Sequence, residues 1–173
     1  MFALVSAIEP SILAQMGPEV APGTGTSGIT SLLGSAIGAF LTTLIVGAIL
    51  IAVAPEYTRG RMDDVMKEPV GSFLYGLVSL VLLLIVVVIL IVTVIGIFIA
   101  IPLAFAAYIL WAVGAAIAFL AIGDRLVGHA DGWAKPLLVG AAINGALTLT
   151  GIGGIITFAI GAAGFGTVLR KII

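Results

Sequence analysis

The chain has 173 residues, a formal net charge of −1, and 62% hydrophobic against 9% charged residues. Soluble domains carry about 25% charged residues, so this composition excludes a water-soluble globular fold, and the near-neutral charge leaves no footprint for nucleic acid. The absence of cysteine excludes disulfides, thiolate metal sites and cysteine nucleophiles.

Phe2, Val5, Ile8, Ile12 and Met16 recur at three- and four-residue spacing. That pattern predicts a short amphipathic helix lying at a membrane interface. A cleaved signal peptide fits less well, because the segment lacks a basic start and Glu9-Pro10 interrupts its apolar run. Residues 17–28, rich in Pro, Gly, Ser and Thr, read as a flexible linker. The N-terminal segment is thus 1–28, and 29–173 forms a transmembrane domain.

A first span is expected over 29–54. Its small residues Ser31, Ser35 and Ala39 lie beside Gly34 and Gly38, and such ridges let helices approach closely. In the polar loop 55–68, Met62, Val65 and Met66 share one face, which predicts an interfacial helix of one or two turns. Residues 70–122 would measure roughly 80 Å as one helix, against about 30 Å of hydrocarbon. The run must fold back. Gly96 and Pro102 are the expected turn, with spans over 70–95 and 97–122. A second polar loop, 123–136, places Trp133 beside Lys135 as an interfacial anchor. The apolar stretch 137–168 is divided by Gly151, Gly153 and Gly154 into 137–150 and 154–168. Each half is short of a full crossing.

Two stretches share a grammar. Each starts with Lys and Pro, at Lys67/Pro69 and Lys135/Pro136, and each turns at Thr-x-Ile-Gly, from Thr93 and from Thr150. Two helical hairpins entering from one face, the second shorter, follow from this pattern. The fold class is an all-α integral membrane protein, a helical bundle with two helical hairpins, the second short or re-entrant.

Every basic residue sits in one of three clusters: Arg59/Arg61/Lys67, Arg125/Lys135 and Arg170/Lys171. The positive-inside rule places the N-terminus outside and the first two clusters inside a plasma membrane. A single crossing by 137–168 would leave Arg170 and Lys171 outside. A returning hairpin puts them with the other five, and the one-sided charge favours that reading.

No ionisable residue falls within an expected span, which argues against coupled transport, proton pumping and voltage sensing. His129, with Asp124 and Asp131, reads as a solvated loop histidine rather than a metal ligand. No cofactor and no catalytic residue is expected, and the protein reads as a non-enzyme. Asn144 and Thr148 share a helix face with Gly140, as helix-packing groups or, alternatively, as the lining of a polar path.

The run EPVGSFLYGLVSLVLLLIVVVILIVTVIGIFIAIPLAF resembles the hydrophobic membrane domain found, chiefly in haloarchaea, with bactofilin-type polymer-forming cytoskeletal proteins. The matching residues are Lys67, Pro69, Gly76, Thr93, Ile95, Gly96, Pro102, Gly123, Asp124, Pro136, Gly140, Gly153 and Gly154. Pro102 follows Gly96 by six residues where the family's proline follows by two, and these residues contain no Gly-rich β-helical polymerising domain. The resemblance therefore implies an archaeal membrane anchor or scaffold, not polymer formation. The resulting expectation is a scaffold or accessory subunit in the lipid bilayer, a homo-oligomer or part of a larger membrane complex, associating through Gly/Ala helix faces. The alternative is a small oligomeric channel.

Overall fold

The computed structural model describes residues 25–128, 130, 132–150 and 152–170. The interfacial helix expected over 1–16, most of the expected linker, His129, Asp131, Gly151 and Lys171 lie outside the described residues. The described chain forms six helices: α1 Gly25–Val53, α2 Pro55–Lys67, α3 Pro69–Val92, α4 Val94–Val127, α5 Ala134–Thr148 and α6 Gly153–Leu169. No strand occurs among the described residues. Three helices are long and apolar enough to cross a membrane, over Gly28–Val53, Pro69–Val92 and Ile95–Val127. The architecture is an all-α one built around candidate membrane spans.

The chain divides into two units between Ser31 and Leu32. In the first, the described residues form the start of α1, where Ser31 Oγ donates to the Gly28 carbonyl at 2.9 Å. This helix begins at Gly25, inside the stretch expected to be linker.

In the second unit, the loop expected over 55–68 is almost wholly helical. Pro55 opens α2 with its φ already set, Glu56 lies in the first turn and Lys67 in the last, as the helix dipole favours. Thr58, Arg61, Met62 and Val65 form its buried stripe, at the spacing of a single helix face.

The turn expected at Gly96 and Pro102 is displaced to Thr93. Thr93 is extended, and its hydroxyl accepts the Gly96 amide at 3.1 Å and donates to the Leu90 carbonyl at 2.9 Å. That one residue closes α3 and caps α4. Gly96 and Pro102 are both carried inside α4. A proline removes one amide hydrogen bond from a helix, and helices in an apolar setting tolerate it where neighbouring groups or local adjustment re-satisfy the freed carbonyl.

The turn between α5 and α6 repeats this chemistry. Thr150 Oγ1 donates to the Leu147 carbonyl at 2.9 Å, and the Thr150 amide bonds the same carbonyl at 3.0 Å. In both turns the motif is Leu-x-x-Thr-x-Ile-Gly. A Cβ on Gly96 would strike the Leu90 carbonyl, and one on Gly153 the Leu147 carbonyl. Only glycine fits at the seventh position of either motif.

The core lies around the C-terminal half of α6. Every residue from Gly161 to Val168 is buried, because α3, α4, α5 and α2 all pack on this helix. Small side chains make that possible. A Cβ on Gly166 would meet the Ser72 carbonyl of α3, and one on Gly76 the Ala162 carbonyl of α6. The contact of α4 with α5 is built alike: Gly123 faces the Pro136 carbonyl and Gly140 the Phe119 carbonyl. Gly114 and Gly164 seat α4 directly on α6. The opposite ends of α3 and α4 bury little. Val92, Ile95 and Phe98 are 78–80% exposed, a surface suited to hydrocarbon rather than water.

Candidate functional site

Polar chemistry concentrates where α2 meets the ends of α3, α4, α5 and α6. The Arg59 guanidinium lies 5.1 Å from the centre of the Trp133 ring, so the expected aromatic anchor is also a cation–π partner. Arg170 pairs with Glu68 at 3.0 Å and stands 5.9 Å from the Tyr75 ring. Arg125, in the last turn of α4, places Nη1 3.8 Å from the Met66 sulfur. Lys67 is exposed at the end of α2, and Lys135 lies in the first turn of α5. The six described basic residues thus share one end of the bundle.

Arg61 differs from the rest. It lies on the buried stripe of α2 and is 8% exposed. Its Nη1 donates to the Thr167 carbonyl at 3.0 Å and pairs with Asp64 at 2.9 Å. The last four carbonyls of a helix have no partner within it. Arg61 supplies one of those partners to α6 from 106 positions away, and it favours the negative end of that helix. Its Nε is buried without a hydrogen-bond partner among the described residues. With Asp64, Lys67, Glu68, Thr167 and Arg170, Arg61 lines a polar cleft of about 380 Å³.

A second polar contact lies between α1 and α5. Asn144 is 7% exposed, and its Nδ2 donates to Thr43 Oγ1 at 2.7 Å and to the Ala39 carbonyl at 3.3 Å. Asn144 Oδ1 is buried without a partner among the described residues. Thr148 turns its hydroxyl back to the Asn144 carbonyl at 2.9 Å. The Ala36 carbonyl approaches Gly145 closely nearby, and Leu137 covers Gly47. Exchanging Asn144 for leucine is expected to destabilise the protein by about 1 kcal/mol, the range of hydrogen bonds between membrane helices. Thermal unfolding in mild detergent measures it. The Asn144→Leu/Thr43→Val pair should cost no more than Asn144→Leu alone, since both remove one contact.

Of the expected packing residues, Gly140 and Asn144 meet neighbouring helices, whereas a Cβ on Gly34 or Gly38 would meet nothing within 4 Å. Ser31 and Ser35 lie on exposed parts of α1. Gly153 and Gly154 open α6, with Gly154 facing open space. Asp124 is the described member of the loop group with His129 and Asp131; among the described residues no three His, Asp or Glu side chains assemble as metal ligands.

Sequence reasoning passed over Arg61 as a buried cap and Gly114, Gly164 and Gly166 as seats for neighbouring helices. A signal existed for each. Arg61 falls three residues after Thr58 and four before Val65, on the apolar stripe. The small residues of GAAGFG cover every face of one helix turn, which no single packing partner requires.

No curated protein and no solved structure matches the chain. A family model described as a domain of unknown function, DUF8173, matches residues 1–173. That match spans the whole chain, which therefore belongs to the DUF8173 family.

Proposed function

We propose that the protein is a non-enzymatic membrane scaffold or accessory subunit, associating with copies of itself or with a larger membrane partner through α1. The observation that carries this reading is a contrast between glycines. Gly76, Gly114, Gly123, Gly140, Gly164 and Gly166 are each filled by the backbone of another helix, while Gly34 and Gly38 face open space on a helix of candidate membrane length. Two glycines four apart on an exposed helix face are what a second membrane helix packs against. An anchoring role beside a polymer-forming protein, as the resemblance implies, is one form of such a scaffold.

In this reading α3–α4 and α5–α6 are two hairpins entering from the cytoplasmic face of a plasma membrane, the second too short to span fully. The contact of Arg170 with Glu68 supports it, since it returns α6 to the end where α3 starts. The shared basic end then lies inside, as the positive-inside rule requires.

A chain without cysteine suits a direct test. Ile37→Cys, beside Gly38 on the exposed face, should form disulfide-linked dimers in native membranes under mild oxidation. Ile109→Cys on α4 serves as a control and should not. Absence of a dimer at Ile37, together with isolation as a lone monomer, would defeat the proposal. The channel alternative has less support, because Asn144 and Thr148 spend hydrogen bonds on Thr43, Ala39 and their own helix.

A further inference from the structure

Beside the polar end lies an apolar cavity of about 460 Å³, walled by residues such as Met66, Phe73, Ile122, Ala159 and Ile160 from four helices. Its volume falls in the range of small-ligand sites. Arg125 also lines it. The Arg125 Nη1 stands 3.8 Å from the Met66 sulfur. Met66 and Arg125 also line a second recess of about 310 Å³, together with Asp63 and Asp124. An apolar slot thus adjoins one cation, and beyond the cation lie two carboxylates.

This order matches the parts of one molecule: a hydrocarbon chain, a phosphate and a primary ammonium. We propose that the paired cavities hold a single aminophospholipid. One chain occupies the apolar slot, Arg125 takes the phosphate, and Asp63 takes the ammonium. Guanidinium and phosphate pair through two parallel hydrogen bonds, and an ammonium brings three donors to a carboxylate. A lipid with a hydroxyl headgroup brings no cation to Asp63, and a quaternary amine offers it no N–H. The ends of α2 and α4 lie at the interfacial level in the reading above, on which this proposal rests. It does not depend on association through α1.

The test is native mass spectrometry of the full chain released from nanodiscs of equal parts phosphatidylethanolamine, phosphatidylglycerol and phosphatidylcholine. One phosphatidylethanolamine per chain should be retained, roughly tenfold over either competitor, the factor that one hydrogen bond to a charged group supplies. Asp63→Asn should abolish that preference while leaving some phospholipid bound. Arg125→Gln should lower retention of all three, and Ala159→Phe should block the slot; helical circular dichroism verifies that each variant is folded. Equal retention of the three lipids by the natural chain, an unchanged preference in Asp63→Asn, or no retained lipid would overturn the proposal. Dimer cross-linking at Ile37 reads the scaffold reading separately, so one can fail without the other.

Discussion

Replacing Gly164 with leucine is expected to cost roughly 3 kcal/mol or more, at the upper end of overpacking penalties. The reason is what stands opposite. A Cβ at this position would enter the Gly114 carbonyl and press on Ala118 at 3.1 Å. Backbone cannot turn aside as a flexible side chain can, so α4 and α6 must separate. Separation exposes the most buried part of the molecule, including Phe119 and Phe165. The loss is large against the roughly 5–15 kcal/mol that holds most domains folded. Fluorescence reports it directly, because Trp111 lies 5.9 Å from Phe165 and 5.4 Å from Phe158, between α4 and α6. Gly38→Leu is the matched control. Nothing lies within 4 Å of that position, so the same substitution should leave unfolding of the monomer almost unchanged. Equal effects at Gly38 and Gly164 would show that helix propensity, rather than close approach, governs both.

Arg61→Ala is expected to cost roughly 2–3 kcal/mol, the worth of a hydrogen bond to a charged group plus the carbonyl left bare. The Thr167 carbonyl is buried and loses its donor. Arg61→Met separates two contributions. It restores most of the buried side-chain volume at this position but no hydrogen bond, so it should recover only part of the loss. The damage should be local at first. Hydrogen exchange near Thr167 ought to quicken before exchange in the middle of α3 does. Arg61→Ala unfolding at the natural protein's temperature would remove Arg61 from any structural role. Lys67, exposed at the end of α2, is the surface comparison, and Lys67→Ala should change stability by less than about 0.5 kcal/mol.

The three long apolar helices were readable because charge is so costly in hydrocarbon that its absence marks a span. The turn at Thr93 was harder. Gly96 and Pro102 are the strongest breakers in the run by ordinary helix propensity, yet a hydroxyl accepting one amide and bonding one carbonyl stops α3 first. Propensity measured in water underrates such a cap, because in an apolar setting each unpaired backbone group is dearer. The sequence predicts a helix of one or two turns in this loop, and α2 reaches 13 residues, since Pro55 and Pro69 bound it rather than any change in hydropathy. The candidate site was legible as charge and opaque as geometry. Six described cations share one end of the bundle, but which of them turns inward depends on a helix more than a hundred residues later.

That helix has a consequence for how the molecule is made. Chains emerge from the ribosome N-terminus first, at about 5–20 residues per second, and α6 is the latest of the six helices to appear. Until it does, α3 and α4 carry glycine-floored grooves at Gly76 and Gly114 with nothing to fill them, and Arg61 has no carbonyl to cap. The keystone arrives after the arch. During that interval the bundle is an open half-structure whose grooves suit any small-faced helix, so its neighbours in the membrane at the moment of synthesis bear on which helix closes it.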